Sequence, residues 1–165
     1  MDLIIDGYNL IAIDHRLDHA LEQQRNFLIQ KLVRYRNAKR FNLILVFDGW
    51  RSGSASETTV NQEGIAVVYS RLGEKADGVI IRIAREKGSG CVVISSDREI
   101  RNAVERFGAV AIHALEFSKI LRTLDDPGGG DDLDDWDGRG YSRGSANRLS
   151  RVERKQREKL RKLRL

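Results

Sequence analysis

Three short stretches of the chain each run into an aspartate, and this repeated pattern constrains the fold more than any other feature. The stretches are Leu3–Ile5 before Asp6, Leu43–Phe47 before Asp48, and Val92–Ile94 with two serines before Asp97. Short apolar runs of this kind are typical of buried strands. The carboxyl ends of parallel strands lie at one edge of a sheet, where open α/β folds bind ligands. The pattern therefore predicts a group of carboxylates at that edge.

The segments between and after these strands favour helices. The expected strands are 3–5, 42–47, 65–69, 91–95 and 109–112, and the expected helices are 17–39, 76–87, 98–107 and 116–124. Strands that alternate with helices indicate βαβ units and a mainly parallel sheet. With right-handed crossovers, the expected fold class is a three-layer α/β sandwich. The polar segment 50–64 is expected to be a long loop, and loops of that length are often functional.

Charge is distributed unevenly along the chain, whose formal net charge is +5. Residues 125–138 contain seven aspartates and no basic residue, whereas residues 139–165 contain eleven basic and two acidic residues. We expect a folded domain over 1–124, an Asp/Gly-rich linker over 125–145 that buries too little apolar surface to fold alone, and a basic tail over 146–165. The capping-box pattern at Ser150 and Glu153 predicts a helix over 150–163. A tail of this charge indicates a polyanionic partner.

Several classes of protein are disfavoured by the sequence. No apolar run approaches the roughly 20 residues that a membrane helix needs, and no secretion signal is recognisable at the N-terminus. The single cysteine, Cys91, cannot form an internal disulfide, so a reducing, cytoplasmic location is expected. Neither a P-loop nor a Gly-x-Gly-x-x-Gly motif after the first strand is present, so no nucleotide cofactor is expected.

The predicted site contains only oxygen donors. Its members are Asp6, Asp48, Asp77 and Asp97, with Asn9 close to the first. Carboxylates crowded together repel one another unless cations lie among them. Hard oxygen ligands select Mg²⁺ or Mn²⁺, and such ions orient a phosphodiester, generate a hydroxide and stabilise the leaving oxygen. The acids therefore indicate metal-dependent hydrolysis of phosphodiester bonds.

The same acids have an alternative, structural interpretation as helix caps. Ser96-Asp97-Arg98-Glu99 resembles a capping box with Ser96 as the cap. Asp77 would be favoured in the first turn of a helix by the helix dipole alone. A metal site is preferred because Asp6, Asp48 and Asp97 each end a buried strand.

Four motifs occur together in the first 124 residues: Ile-Ile-Asp-Gly-Tyr-Asn-Leu-Ile (4–11), Val-Phe-Asp-Gly (46–49), Ala-Asp-Gly-Val-Ile (76–80) and Ile-Ser-Ser-Asp-Arg-Glu-Ile (94–100). In these motifs the chain resembles the YacP-like branch of the NYN domains, within the PIN-like nuclease superfamily. The resemblance implies a metal-dependent endoribonuclease, and in the best-understood bacterial type one that associates with the ribosome and cuts mRNA during translation. It implies that Asp6, Asp77 and Asp97 are the catalytic, metal-binding acids, with Asp48 and Asn9 supporting them.

Basic residues in two parts of the chain are expected to hold nucleic acid. They are Arg51, Arg71, Lys75 and Arg98 near the acids, and Arg148, Arg151, Arg154 and Lys155 in the tail. Arginine in particular makes bidentate contacts to phosphate. Two other functions remain open: a non-catalytic module that binds RNA or the ribosome through the tail, and a metal-dependent DNA nuclease, since no residue pattern reads a 2′-hydroxyl.

Overall fold

A computed structural model describes residues 1–13, 20–49, 55–125 and 150–165. These residues form the strands β1 (Asp2–Asp6), β2 (Asn42–Phe47), β3 (Thr58–Gln62), β4 (Ile65–Tyr69), β5 (Cys91–Ile94) and β6 (Val110–Ile112). They also form the helices α1 (Gly7–Ile13), α2 (Leu21–Lys39), α3 (Ala76–Lys87), α4 (Arg98–Arg106), α5 (Ala114–Arg122) and α6 (Arg151–Leu163). Among the described helices, none combines the length and the apolar character needed to cross a membrane.

The six strands form one sheet in the order β3-β4-β2-β1-β5-β6. All neighbouring pairs are parallel except β3 and β4, which are antiparallel. From β1, the chain first builds one side of the sheet with β2 and β4, and then the other side with β5 and β6. The order therefore reverses between β1 and β5, and open α/β sheets bind ligands in the crevice at such a point. The prediction of a mainly parallel α/β sandwich is confirmed.

Alternate side chains of the strands supply two hydrophobic cores, one on each face of the sheet. Ile5 and Phe47 belong to the core that contains residues of α1, α2 and α5. Ile4 and Val46 point to the other face and pack with residues of α3 and α4. This alternation is the two-residue period of a strand, and it explains why the central strands are apolar throughout. The result is the expected three layers.

Two elements were not predicted from the sequence. The helix α1 begins directly after Asp6 and is only seven residues long, with a glycine as its first residue. The strand β3 lies within the segment expected to be a loop, and it pairs with β4 through a tight turn in which Gly64 has φ +86°. β3 is polar because it is the edge of the sheet and most of its residues are exposed. Polar side chains at an edge strand discourage pairing with other chains.

The predicted C-terminal helix is present as α6, and it docks against the rest of the protein. Ser150 and Glu153 cap it reciprocally, as the capping-box pattern predicted. Leu163 is fully buried, and the carbonyl oxygen of Leu163 accepts a hydrogen bond of 2.8 Å from the Tyr35 hydroxyl. The Gln156 side chain donates to the carbonyl oxygen of Ala111 at 3.1 Å. The division into domain, linker and tail stays a prediction, because much of 125–149 lies outside the described residues.

Candidate active site

Asp6 is the most deeply buried acid at the carboxyl edge of the sheet. It ends β1 at the point where α1 begins, and it is only 8% exposed. Its Oδ1 accepts a hydrogen bond from the backbone N–H of Asn9 at 3.2 Å, which caps the first turn of α1. Its Oδ2 accepts a hydrogen bond from the Ser95 hydroxyl at 3.1 Å. Each carboxylate oxygen is therefore held by a neighbour on a different element.

Gly7 allows α1 to start immediately after this acid. A Cβ added to Gly7 would lie 2.3 Å from Cε1 of Phe47, so no larger residue fits between α1 and β2. The Phe47 ring in turn packs against Tyr8 in an edge-to-face pair with ring centroids 5.0 Å apart. The hydroxyl of Tyr8 is buried and has no hydrogen-bond partner among the described residues.

Asp48 and Asp77 meet at the N-terminus of α3. Asp48 Oδ1 accepts a hydrogen bond of 2.5 Å from the backbone N–H of Ala76, the first residue of that helix. Asp77 is the next residue of the helix and is partly buried. The buried hydroxyl of Ser70 joins the two loops, since it accepts from Gly49 N–H at 2.9 Å and donates to the carbonyl oxygen of Glu74 at 2.6 Å.

Asp97 is the N-cap of α4. Its Oδ1 accepts from the backbone N–H groups of Glu99 and Ile100, at 2.7 and 3.2 Å. The alternative interpretation from the sequence, a capping box with Ser96 as the cap, is wrong because Asp97 itself is the cap. The Ser95 hydroxyl oxygen accepts from Asp97 N–H at 3.1 Å while the same hydroxyl donates to Asp6. One serine therefore connects the two strand ends that flank the topological switch point.

The four acids interact electrostatically. Burial raises the pKa of Asp6 to about 6, and the charges of Asp77 and Asp48 raise this pKa further, against the hydrogen bonds from Asn9 and Ser95. Burial also raises the pKa of Asp77, as do the charges of Asp97 and Asp48, while Lys75 lowers it. None of the four acids forms an ion pair with another described residue. The edge thus concentrates negative charge that no cation of the described residues contacts directly.

This donor set fits a hard divalent cation, because it consists of carboxylate oxygens that repel one another. In the part of the chain that the structure describes, no three acidic, histidine or cysteine side chains come together as a closed group of metal ligands. The acids are therefore close enough to interact electrostatically, but they do not form the complete set of ligands that would surround a metal ion.

Asn9 connects α1 to the loop that carries Asp97. Its side-chain oxygen accepts a hydrogen bond of 2.9 Å from the backbone N–H of Ser96. The Ser96 hydroxyl lies 3.2 Å from Nδ1 of His113, and this same nitrogen accepts from Leu115 N–H at 3.2 Å. Since Nδ1 is an acceptor toward Leu115, Ser96 is the donor in its bond to His113.

His113 was missed by sequence reasoning, although it caps α5. Together with Glu116 it forms a reciprocal capping box. Burial lowers the pKa of His113, and so does the charge of Arg101, which agrees with a neutral ring that accepts at Nδ1. A sequence signal exists in the glutamate three residues later, but capping boxes are recognised by serine or threonine at the first position.

The predicted basic residues fall into two groups in the structure. Arg71 is exposed and pairs with Glu74 at 3.2 Å, Lys75 directly precedes α3, and Arg98 is the exposed first residue of α4, next to Asp97. These three lie at the carboxyl edge. The others that the structure describes are on α6, away from the acids, and are Arg151, Arg154 and Lys155. Arg51 and Arg148 lie outside the described residues.

The sequence profile of the YacP-like NYN domain matches residues 3–164. The chain belongs to the YacP-like NYN domain family. Membership points to a nuclease-type, RNA-related function, and nucleases of this kind typically use divalent metals. No curated protein matches the chain significantly.

Two solved structures share the fold, both of Rae1 (YacP) from Bacillus subtilis. The crystal structure of a mutant of Rae1 is 25% identical, with a TM-score of 0.64, and the match covers 75% of this chain and 76% of that one. A second crystal structure of Rae1 is 23% identical, with a TM-score of 0.58, over 81% of this chain and 88% of that one. The match of the family profile extends through α6.

Proposed function

We propose that this protein is a metal-dependent endoribonuclease whose substrate is mRNA on translating ribosomes. One observation carries the catalytic part of the proposal: buried and partly buried carboxylates lie at the carboxyl edge of the sheet, where burial and the charges of neighbouring acids raise the pKa of Asp6 and of Asp77, and none of them has an ion-pair partner among the described residues. Membership of a nuclease-type family supports the same conclusion. The ribosomal part rests on the resemblance of the four motifs to the ribosome-associated type.

In this proposal Asp6, Asp77 and Asp97 hold Mg²⁺ or Mn²⁺, and Asp48 and Asn9 support them. A bound divalent cation would supply an activated water and neutralise charge on the scissile phosphate. The protein supplies the positions of its ligands. Ser95 fixes Asp6 relative to Asp97, and the amide of Asn9 fixes the loop between β5 and α4.

The exposed cations at the carboxyl edge are proposed to bind the phosphates of the substrate. Arg98 directly follows Asp97 in the chain and Lys75 lies two residues before Asp77, so they would hold phosphates beside the scissile bond. Arg71 would contact the strand further away, and Arg51, which lies outside the described residues, stays a predicted phosphate ligand. A protein that only bound RNA would gain nothing from carboxylates facing a phosphate backbone, because like charges repel. This argument favours a nuclease over a binding module.

The test is cleavage of an end-labelled mRNA, either naked or in a translating extract, with Mg²⁺, Mn²⁺ or a chelator. Asp6→Asn is compared with wild type and with Asp2→Asn. Asp2 is the matched control because it lies on the same strand at the opposite edge, where it pairs with Lys87 at 2.6 Å. We expect defined cuts in the translating extract that the chelator and Asp6→Asn abolish and that Asp2→Asn preserves.

Other outcomes would redirect the assignment. Cuts in naked mRNA as well would mean a free-standing endoribonuclease. Binding without cleavage in both settings would indicate the binding module, and equal cleavage of a DNA copy would indicate a nuclease without sugar selectivity. Cleavage that persists in Asp6→Asn would contradict the site.

A further inference from the structure

The outward side of α6 carries a stripe of cations that the candidate active site does not use. Its members, called here the α6 basic face, are Arg151, Arg154, Lys155, Arg157 and Arg161, all of which are exposed. None of them forms an ion pair with another residue in the described ranges. Residues three and four apart share one side of a helix, so these charges are presented together.

The opposite side of α6 is committed to the core. Leu163 is fully buried, Leu160 packs against the same cluster, and the Gln156 side chain binds both Ala111 and Glu105 at 3.1 Å. The helix is therefore held in one orientation, and its cations are presented from a rigid support. Capping by Ser150 and Glu153 also fixes its first turn.

The contacts that place the C-terminal half of α6 lie away from the acids. Lys159 Nζ is 3.8 Å from the sulfur of Met1, which precedes β1, and Leu163 is bonded to Tyr35 near the end of α2. Both contacts are at the amino end of the parallel strands, whereas Asp6 is at the carboxyl end of β1. Five residues of a strand span about 17 Å. A phosphate held at the acids is therefore separated from this end of α6 by about the length of β1.

We infer that the α6 basic face is a second RNA-binding surface, which holds the phosphate backbone of a double-helical RNA separate from the strand at the acids. This inference rests on the proposed function for the choice of RNA as the polyanion. The face is rich in arginine, whose planar fork matches phosphate oxygens.

The composition of α6 selects a duplex over a single strand. Proteins that bind single-stranded RNA stack its bases mainly on aromatic side chains, with arginine planes as a second platform, and α6 contains no aromatic residue. Double-stranded RNA, in contrast, is recognised largely through its backbone and shape. A membrane surface is disfavoured because it would require an apolar face, and the apolar face of α6 already packs on the core.

Binding in the presence of a chelator tests this inference without depending on cleavage. The probes are a blunt RNA duplex of two helical turns and an unstructured single strand of equal length, and the readout is fluorescence anisotropy at several salt concentrations. The test variant is Arg154→Gln/Arg157→Gln/Arg161→Gln. The control, Arg71→Gln/Lys75→Gln/Arg98→Gln, removes the same charge at the carboxyl edge. A second variant, Arg154→Lys/Arg157→Lys/Arg161→Lys, keeps the charge.

We expect the α6 glutamine variant to bind the duplex at least about tenfold more weakly, with a salt slope that is less steep by about one for each phosphate that is no longer bound. Its affinity for the single strand should fall much less, and the lysine version should largely restore duplex binding. The control variant should show the reverse preference. Unchanged duplex affinity, or equal losses for both probes in the α6 variant, would overturn the inference. If duplex binding depends on α6 but wild type cleaves no RNA, the surface stands and the proposed nuclease does not.

Discussion

The central strand β1 has an aspartate at each end, and the electrostatic environments of these two aspartates, Asp2 and Asp6, are opposite. At the amino end, Asp2 binds Lys87 at 2.6 Å and Asn42 at 2.9 Å, and the hydrogen bond from Lys87 is the largest cause of its lowered pKa. At the carboxyl end, Asp6 is buried among other acids, and its pKa rises to about 6. The charge of Asp2 strengthens the fold as part of an ion pair, whereas the charge of Asp6 weakens it. Acids whose pKa is strongly raised, as that of Asp6 is, are typical of functional sites.

The contrast extends to the whole molecule. Loops at the carboxyl edge gather Asp6, Asp48, Asp77 and Asp97 through hydrogen bonds to backbone and serine. The α6 basic face adds positive charge on a surface that faces outward, and its side chains form no ion pair with another described residue. A cation is therefore expected at the acids and a polyanion at the α6 basic face.

The largest effect is expected from Asp77→Asn. Losing a metal-binding carboxylate removes several kcal/mol of transition-state stabilisation, so RNA cleavage should fall at least about a hundredfold. Titration with Mn²⁺ should show weaker binding. Glu86→Gln is the matched control, since Glu86 is exposed near the other end of the same helix, and it should change neither quantity. A metal affinity unaffected by Asp77→Asn would break the assignment of the carboxyl edge.

The second-largest effect is expected in the dependence of protein stability on pH when no metal is bound. The pKa of Asp6 is about 6 in the folded protein and 3.8 as its ordinary value, so the folded state binds more protons between these values. The free energy of unfolding should therefore fall as the pH rises from about 4 to 7, by up to about 3 kcal/mol from this residue. Urea unfolding at several pH values would measure it.

Asp6→Asn isolates that contribution, because it removes the titrating group and keeps the side-chain shape. The difference in unfolding free energy between variant and wild type should grow with pH and shrink when Mg²⁺ or Mn²⁺ is added. Asp2, whose pKa is lowered, acts in the opposite direction, so Asp2→Asn should lose stability above pH 4. A difference for Asp6→Asn that does not vary with pH would contradict the electrostatic account.

Asn9→Ala should have an intermediate effect. It leaves the partly buried N–H of Ser96 without its acceptor, which costs about 1–3 kcal/mol of unfolding free energy. It should also lower kcat more than it raises KM, since the loop that carries Asp97 loses an anchor. Asn42→Ala, which removes an exposed bond to Asp2, should reduce stability less and leave kcat unchanged. Equal kinetic effects of the two variants would indicate that Asn9 is not specific to the site.

The smallest effects on stability are expected from removing the hydroxyl groups of Tyr35 and Tyr8. Tyr35→Phe removes the buried hydrogen bond to the carbonyl oxygen of Leu163 and should cost about 1–2 kcal/mol of unfolding free energy. Tyr8→Phe removes a buried hydroxyl without a partner among the described residues, so it should leave stability unchanged or slightly raised. Denaturant midpoints would compare them. A larger loss for Tyr8→Phe would reveal a hydrogen bond beyond these residues.

The sequence was sufficient to predict the sheet because its central strands are apolar on both faces and end in acids. It failed where local signals are weak. The helix α1 is too short to show a hydrophobic period, and β3 is polar because only one of its edges is paired. Neither element could be distinguished from a loop by the pattern of apolar residues.

The four acids proposed for the site follow strand and helix signals in the sequence, whereas the contacts that hold them have no such signal. Ser95 and Asp6 are 89 residues apart, and Asn9 and Ser96 are 87 residues apart. Serine, asparagine and histidine are common in loops, so nothing local distinguishes His113 as a partner of Ser96. Such contacts become visible only when the strand ends are brought together in three dimensions. The position of the C-terminal half of α6, away from the acids, was hidden for the same reason.

The bond between Tyr35 and Leu163 joins residues 128 positions apart. During synthesis, β1 to α5 emerge first and can assemble around the sheet, but the place that Leu163 and Leu160 fill stays open until α6 follows. A nascent chain therefore exposes an apolar surface beside Tyr35 at a stage when its acids can already be in position. Closure of such a distant contact is slow compared with local helix formation. Docking of α6 would then set the time at which the core around Tyr35 is completed.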